Sequence, residues 1–186
     1  LYLSTAMIIE EGFSMSDLRA IAASMARTAD EVGVRLVTGD TKVVERGKAD
    51  GVYINTTGIG LIPEGIDCHP ARIRPGDKII VTGQVGDHGL AILAQREGLS
   101  FGTPALSDCA PLIGLKEIIN VYGASIRCMR DPTRGGLATA LNEIAAQSGQ
   151  GIRVREADIP ISPVVKGACD MLGMDPLYMA NEGKMI

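Results

Sequence analysis

Tryptophan is absent from this 186-residue chain, and there are only 2 Phe and 4 Tyr. So few aromatic faces remove the stacking platforms on which single-stranded nucleic acids are bound. Positive charge is also short: 18 Lys and Arg stand against 22 Asp and Glu, a formal net charge of −4. With no polybasic footprint, duplex nucleic acid is not an expected partner. No apolar run approaches the roughly 18 residues needed to span a bilayer. The opening run, residues 1–9, has no basic leader and no small-residue cleavage site, so it does not read as a signal peptide. With only 2 His, no Ser-His-Asp set and no metal cluster can be assembled from the sequence. The four cysteines, Cys68, Cys109, Cys128 and Cys169, are all more than four residues apart. Zinc-ribbon and thioredoxin-like spacings are therefore excluded. The cysteines read as small buried hydrophobes in a reducing compartment, and the cytoplasm is the expected location.

What is present is an ordinary globular balance, 46% apolar and 22% charged, with a high count of 23 Gly. The length allows one or two domains and burial of about 70% of the unfolded surface, without disulfides or metal. Residues 1–10 form a strand-length apolar run. Ser16 is the expected N-cap of a helix whose apolar face is Leu18, Ile21, Ala22, Met25, Ala29 and Val32, closed by Gly33. A short strand over residues 34–37 should end at Thr38-Gly39-Asp40, and a longer one should cover 51–62. This gives β-α-β-β.

Pro63, Gly65, Pro70, Pro75 and Gly76 punctuate a boundary. Beyond it, strands are expected at 78–82, 126–129, 152–155 and 177–180. Helices are expected at 86–96, 107–121 and 136–148, with another starting at Ser162-Pro163, a cap followed by an N1 proline. The fold class is α/β (α+β) with two domains, 1–65 and 66–186. The chain opens and stops inside elements, so the expected object is an internal fragment, truncated at both ends.

Three segments place polar or glycine residues at the end of an apolar element, where α/β proteins bind ligands. In Thr38-Gly39-Asp40-Thr41-Lys42, a carboxylate and an ammonium two residues apart suit Mg²⁺ and a phosphate. The alternative is a turn with a solvated lysine. Asp131-Pro132-Thr133-Arg134-Gly135-Gly136 approaches a helix N-terminus, whose free N–H groups favour an anion, with Arg134 adding donors. Alternatively, Asp131 or Thr133 simply caps that helix. It is not a Walker A loop, because no Gly-Lys-Ser/Thr follows at the right gap. In Asn181-Glu182-Gly183-Lys184, a Glu at a strand end can serve as a base, or all these charges are solvated. His88, in Gly86-Asp87-His88-Gly89, is a further candidate as a proton shuttle, against the alternative of a helix-start histidine held by backbone.

These segments together resemble the hydrogenase maturation factor HypE family, of the PurM-like (aminoimidazole ribonucleotide synthetase) ATP-binding superfamily. The resemblance rests on VTGDTKVVERGKADGV at 37–52, INTTGIG at 54–60, GDHG at 86–89, DPTRGGLATALNEIA at 131–145 and ANEGK at 180–184, in order along essentially the whole chain.

The resemblance implies a PurM-like two-domain fold in which residues 1–65 are the remainder of an N-terminal ATP-binding and dimerisation domain. It implies ATP-dependent dehydration of an S-carbamoyl cysteine to a thiocyanate, which supplies cyanide to [NiFe] hydrogenase. Carried onto this sequence, Lys42 and Glu182 would be catalytic and Asp40 would hold Mg²⁺. Asp40, Thr41, Asp131, Thr133, Arg134, Gly135 and Gly136 would bind ATP. Implied partners are a second copy of the chain in a homodimer, HypF as carbamoyl donor, and the HypC–HypD complex as cyanide recipient, with no nucleic acid and no membrane. The family's acidic Mg·ATP ligands would precede Leu1 and its terminal cysteine would follow Ile186, so the fragment alone is expected to show no turnover. Competing expectations are another PurM-like phosphotransferase, such as selenophosphate synthetase, and a non-catalytic dimerisation or docking module.

Overall fold

Three strands of branched and hydroxylated residues open the chain: β1 (Tyr2–Glu10), β2 (Arg35–Val44) and β3 (Val52–Ile59). They form one sheet of order β2-β1-β3 in the computed structural model, which describes residues 1–186. β1 runs parallel to β2, reached through helix α1 (Met15–Glu31), and antiparallel to β3. The N-cap of α1 is Ser14 rather than Ser16: its Oγ accepts from Asp17 N–H at 3.4 Å, while Ser16 Oγ bonds Ser14 Oγ at 2.6 Å. Gly33 follows the helix at φ 66°, as the left-handed close requires. Leu18, Ile21, Met25, Ala29 and Val32 are half-buried, as their spacing predicts, but Ala22, expected on the same face, is exposed. The unit comprising Leu1–Glu64 has a thin core, with Ile9 and Val34 its buried apolar residues.

β2 does not stop before Thr38-Gly39-Asp40 as expected; it continues through the motif to Val44. The register with β1 shifts between Leu3↔Leu36 and Ser4↔Thr38, so Val37 is an extra residue on β2. Just beyond it, a Cβ on Gly39 would lie 2.5 Å from the Thr5 carbonyl oxygen. Only glycine lets the two backbones approach this closely. The motif glycine therefore keeps the strand paired where a side chain would break the ladder.

The second unit, Gly65–Ile186, packs α2 (Asp87–Glu97), α4 (Gly136–Ser148) and α5 (Pro163–Leu172) around two apolar clusters. Leu90, Val165, Ala168, Cys169 and Met179 form one; Val85, Leu137 and Leu141 form the other. α3 (Leu115–Tyr122) is much shorter than the helix expected over 107–121.

The four strands expected here do not form ladders. The extended backbone of this unit meets only at isolated points: Val85 bridges Ile161, Thr82 N–H donates to Met185 O at 3.1 Å, and Arg130 and Ile186 exchange bonds of 3.0 and 2.8 Å. At 177–180, Pro176 fixes the backbone and the Asp175 carboxylate accepts from Leu177 N–H at 2.9 Å, making a 3-10 turn of Pro176–Tyr178. The architecture is mixed α/β. No helix is long and apolar enough to cross a membrane. All four cysteines are free, but only Cys169 is buried; Cys68 and Cys109 are exposed and Cys128 is half-buried, which corrects the uniform burial expected of them.

Candidate functional site

In the first unit, side chains alternate across the sheet. Leu3 lines an apolar cleft of about 290 Å³ with Met25 and Ala29 of α1 and Val32 just past its end. Asp40 pairs with Ala6 and Lys42 with Ile8, positions of opposite parity to Leu3. Both polar side chains therefore stand on the sheet face turned away from α1, and both are exposed. Thr41 lies between them in sequence and donates its N–H to Asp40 Oδ1 at 2.8 Å, which leaves the second carboxylate oxygen free of that bond. Behind the motif, the Glu10 carboxylate accepts from Gly47 N–H and from Gly51 N–H, the latter at 3.1 Å, and closes the loop that follows β2. These two backbone bonds hold its carboxyl below the usual carboxylate range.

In the second unit, one side chain gathers the other motifs. Asn181 is completely buried. Its Oδ1 accepts from Gly86 N–H at 2.7 Å, and its Nδ2 donates to Pro132 O and Met179 O, both at 3.0 Å. A single amide thus ties Gly86-Asp87-His88-Gly89, Asp131–Gly136 and Asn181–Lys184 to one another. Two of these segments deliver helix N-termini. α2 starts from Gly86 (φ 92°) and α4 from Gly135 (φ 70°), and neither has a side-chain cap.

The capping alternative for Asp131 and Thr133 is therefore not what the structure shows. Hydrogen bonding from Thr133, the main cause, holds the Asp131 carboxyl below its ordinary range. The N–H groups of the first turn of α4 are left without a side-chain acceptor, which is the condition for binding an anion. Gly136 is obligatory for a second reason. At φ 67°, a Cβ there would lie 2.4 Å from Leu177 O and 2.5 Å from Met179 O. Arg134 is exposed beside this helix start.

Glu182 is half-buried, and its backbone N–H donates to Asp108 Oδ1 at 3.2 Å. Lys184 Nζ lies 3.0 Å from Asp108 Oδ2, a close ion pair without hydrogen-bond direction. His88 Nδ1 is hydrogen-bonded to Ser107 Oγ at 2.8 Å, and Ser107 Oγ also accepts from Cys109 N–H at 3.1 Å. His88 is thus held by a side chain rather than by backbone.

Sequence reasoning missed Ser107 and Asp108 because it placed them at the start of a long helix. Their side chains are instead spent on His88, Glu182 and Lys184. Gly102, Pro104 and Pro111, read together as loop punctuation, were the available signal. The structure brings together Asp131, Thr133, Arg134, Gly135, Gly136 and Glu182 in the second unit and Asp40, Thr41 and Lys42 in the first.

The architecture and motifs have a counterpart among known proteins. The profile described as "AIR synthase related protein, C-terminal domain" matches residues 74–186, and that of the N-terminal domain matches residues 1–62. The chain belongs to the AIR synthase related family. Within that family it is similar over its full length to proteins named carbamoyl dehydratase HypE. The one from Rhizobium leguminosarum bv. viciae is 55% identical over 187 residues, covering 100% of this chain and 53% of that protein. A solved HypE–HypF complex superposes with a TM-score of 0.96 at 49% identity, over 100% of this chain and 61% of that one. A HypE structure in complex with ATP gives 0.94 at 50% identity, over 99% and 55%. The chain spans about half the length of the curated relatives it matches.

Proposed function

We propose that the protein carrying this chain is an ATP-dependent carbamoyl dehydratase of hydrogenase maturation, converting an S-carbamoyl cysteine to a thiocyanate. The observation that carries this reading is the Asn181 junction, which joins two uncapped helix N-termini to the segment bearing Glu182. Similarity to proteins named carbamoyl dehydratase supports the same chemistry.

When bound, ATP supplies the phosphoryl group that turns the carbamoyl oxygen into a leaving group. The first-turn amides of α4, with Arg134, Thr133 and Asp131 around them, fit the polyphosphate. The Lys42 ammonium neutralises charge that develops on the transferring group or the carbamoyl oxygen. The Glu182 carboxylate accepts the amide proton as the nitrile forms. For Mg²⁺, the chain gathers no trio of His, Cys, Asp or Glu. A cation that arrives with the nucleotide needs only one or two carboxylates, and Asp40, with Thr41 fixing one of its oxygens, fits that demand. His88 stays a neighbour of this chemistry without an assigned step.

Similarity to the solved HypE–HypF complex supports HypF as the carbamoyl donor, and the HypC–HypD complex is the proposed recipient. A homodimer is proposed through the sheet face that exposes Tyr2, Ile8 and Tyr53, with the cytoplasm as the site of action.

The test uses the full-length protein carrying an isotopically labelled carbamoyl group, with nitrile formation followed by infrared absorption and ATP hydrolysis in parallel. Glu182→Gln is expected to lower kcat about 10²–10⁴-fold, and Lys42→Ala about 10²–10³-fold. Nitrile formation at the parent rate in both variants would overturn the proposal.

A further inference from the structure

We propose that Asp108 is the positioning residue for Glu182, acting through the backbone on one side of it and through Lys184 on the other. This rests on the reading of Glu182 as the proton acceptor. Asp108 comes from an irregular loop, yet its side chain is only 6% exposed, and that of Lys184 is 13% exposed. A carboxylate and an ammonium so withdrawn from water are retained only when each satisfies the other or a fixed dipole.

Here the two carboxylate oxygens divide the work. Oδ1 receives the Glu182 N–H at 3.2 Å and Oδ2 faces Lys184 Nζ at 3.0 Å. Glu182 is thus bracketed at its own backbone and two residues further on by one rigid group.

Two glycines make the bracket sterically feasible. Gly183, at φ 60°, lies so close to the Asp108 loop that a Cβ would sit 2.5 Å from Ala110 N and 2.6 Å from Asp108 O. Gly83 leaves room for the Lys184 stem, whose Cε would be 2.7 Å from a Cβ there. The 182–184 backbone and the 108–110 backbone are therefore locked face to face. A general base must be held within hydrogen-bond reach of its proton, and misplacement by about 1 Å costs on the order of 10²-fold in rate. Asp108 touches no reacting atom; it fixes where Glu182 stands.

The experiment measures kcat and KM for ATP in the full-length protein for Asp108→Ala, Asp108→Asn/Lys184→Met and Glu182→Gln. Circular dichroism and thermal midpoints define the folded fraction to which each rate is normalised. Asp108→Ala removes the acceptor for the Glu182 N–H and strands the Lys184 ammonium. Its kcat is expected to fall about 10- to 100-fold, with KM for ATP within about threefold of the parent, because the phosphate-facing α4 terminus is untouched. The double variant keeps an acceptor oxygen for Glu182 N–H and removes both charges together. It is expected to recover kcat to within about fivefold of the parent.

A role in stability alone would lower the folded fraction and leave kcat per folded molecule unchanged, and that result overturns the proposal. So does a double variant that is folded but no faster than Asp108→Ala. If Glu182→Gln turns over normally, the proton-acceptor reading itself fails and the positioning role falls with it. If Glu182→Gln is inactive while Asp108→Ala is unimpaired, only the positioning role fails.

Discussion

Replacing Asn181 with Ala should be among the most damaging single changes in the second unit, and its size can be worked from the contacts. The parent side chain is fully buried and satisfies three backbone groups, Gly86 N–H, Pro132 O and Met179 O. Alanine leaves all three without a partner in a space closed to bulk water. Each buried group so abandoned costs about 1–3 kcal/mol. Local relaxation admits some rehydration, so the lower half of that range applies, and the expected loss is roughly 3–6 kcal/mol. Four of the five α-helices lie in this unit, so urea unfolding followed by far-UV circular dichroism reports on it. Hydrogen exchange should show lost protection at Gly86 and at Leu90 and Thr139, whose N–H groups donate to Gly86 O and Gly135 O, while β1–β3 keep theirs.

Asn181→Asp adds a sign to the test. Burial beside two carbonyl oxygens raises the new carboxyl above its unfolded value near 3.9. The protonated form has one O–H for the two carbonyls that the amide serves, so a fixed part of the penalty remains at low pH. The part due to ionisation is absent below about pH 4 and grows as pH rises toward the elevated folded value. A loss under about 1 kcal/mol for the alanine variant, or a pH-independent loss for the aspartate variant, would refute the reasoning.

Gly136→Ala should destabilise the unit by more than the roughly 1 kcal/mol of a left-handed alanine, because its Cβ would lie 2.4–2.5 Å from two carbonyl oxygens. Calorimetric ATP binding by the folded fraction should weaken with it, and unchanged unfolding and binding would contradict the packing account. In the first unit, the Glu10 carboxyl is held below its ordinary value by the Gly47 and Gly51 amides. Its contribution is therefore present above the unfolded value of about 4.3 and is lost as pH falls through the lower folded value. Amide exchange across 45–51 should accelerate on that acid limb, and in Glu10→Gln the dependence should vanish.

Much of the scaffold could be read from local pattern. Apart from the exposed Ala22, the half-buried stripe of α1 fell where its spacing placed it, and α4 and the Ser162-Pro163 start of α5 appeared at the expected residues. These features are written in contiguous residues: an apolar period, a hydroxyl cap and a proline. The extended segments of the second unit failed as strands because a ladder is a property of neighbours, and apolar alternation says nothing about which neighbour is present.

The motif residues could be picked out, but not all that holds them. Asp40, Lys42, Asp131–Gly136 and Glu182 stand out as polar or glycine residues beside apolar runs. Asp108 and Asn181 do their work across 74 and 95 residues of sequence, a separation no local window spans. Gly39 looked like a turn residue because its real role, a close approach to the Thr5 carbonyl, belongs to another strand.

The Asn181 amide also imposes an order of events during synthesis. Its partners at Gly86 and Pro132 leave the ribosome 95 and 49 residues earlier, and until residue 181 follows them they share no common anchor. Closing loops of that span is slow compared with forming α2 or α4 locally. A nascent chain therefore carries finished helices with unassembled ends, and the junction closes only as the last of its three segments emerges into solution and docks.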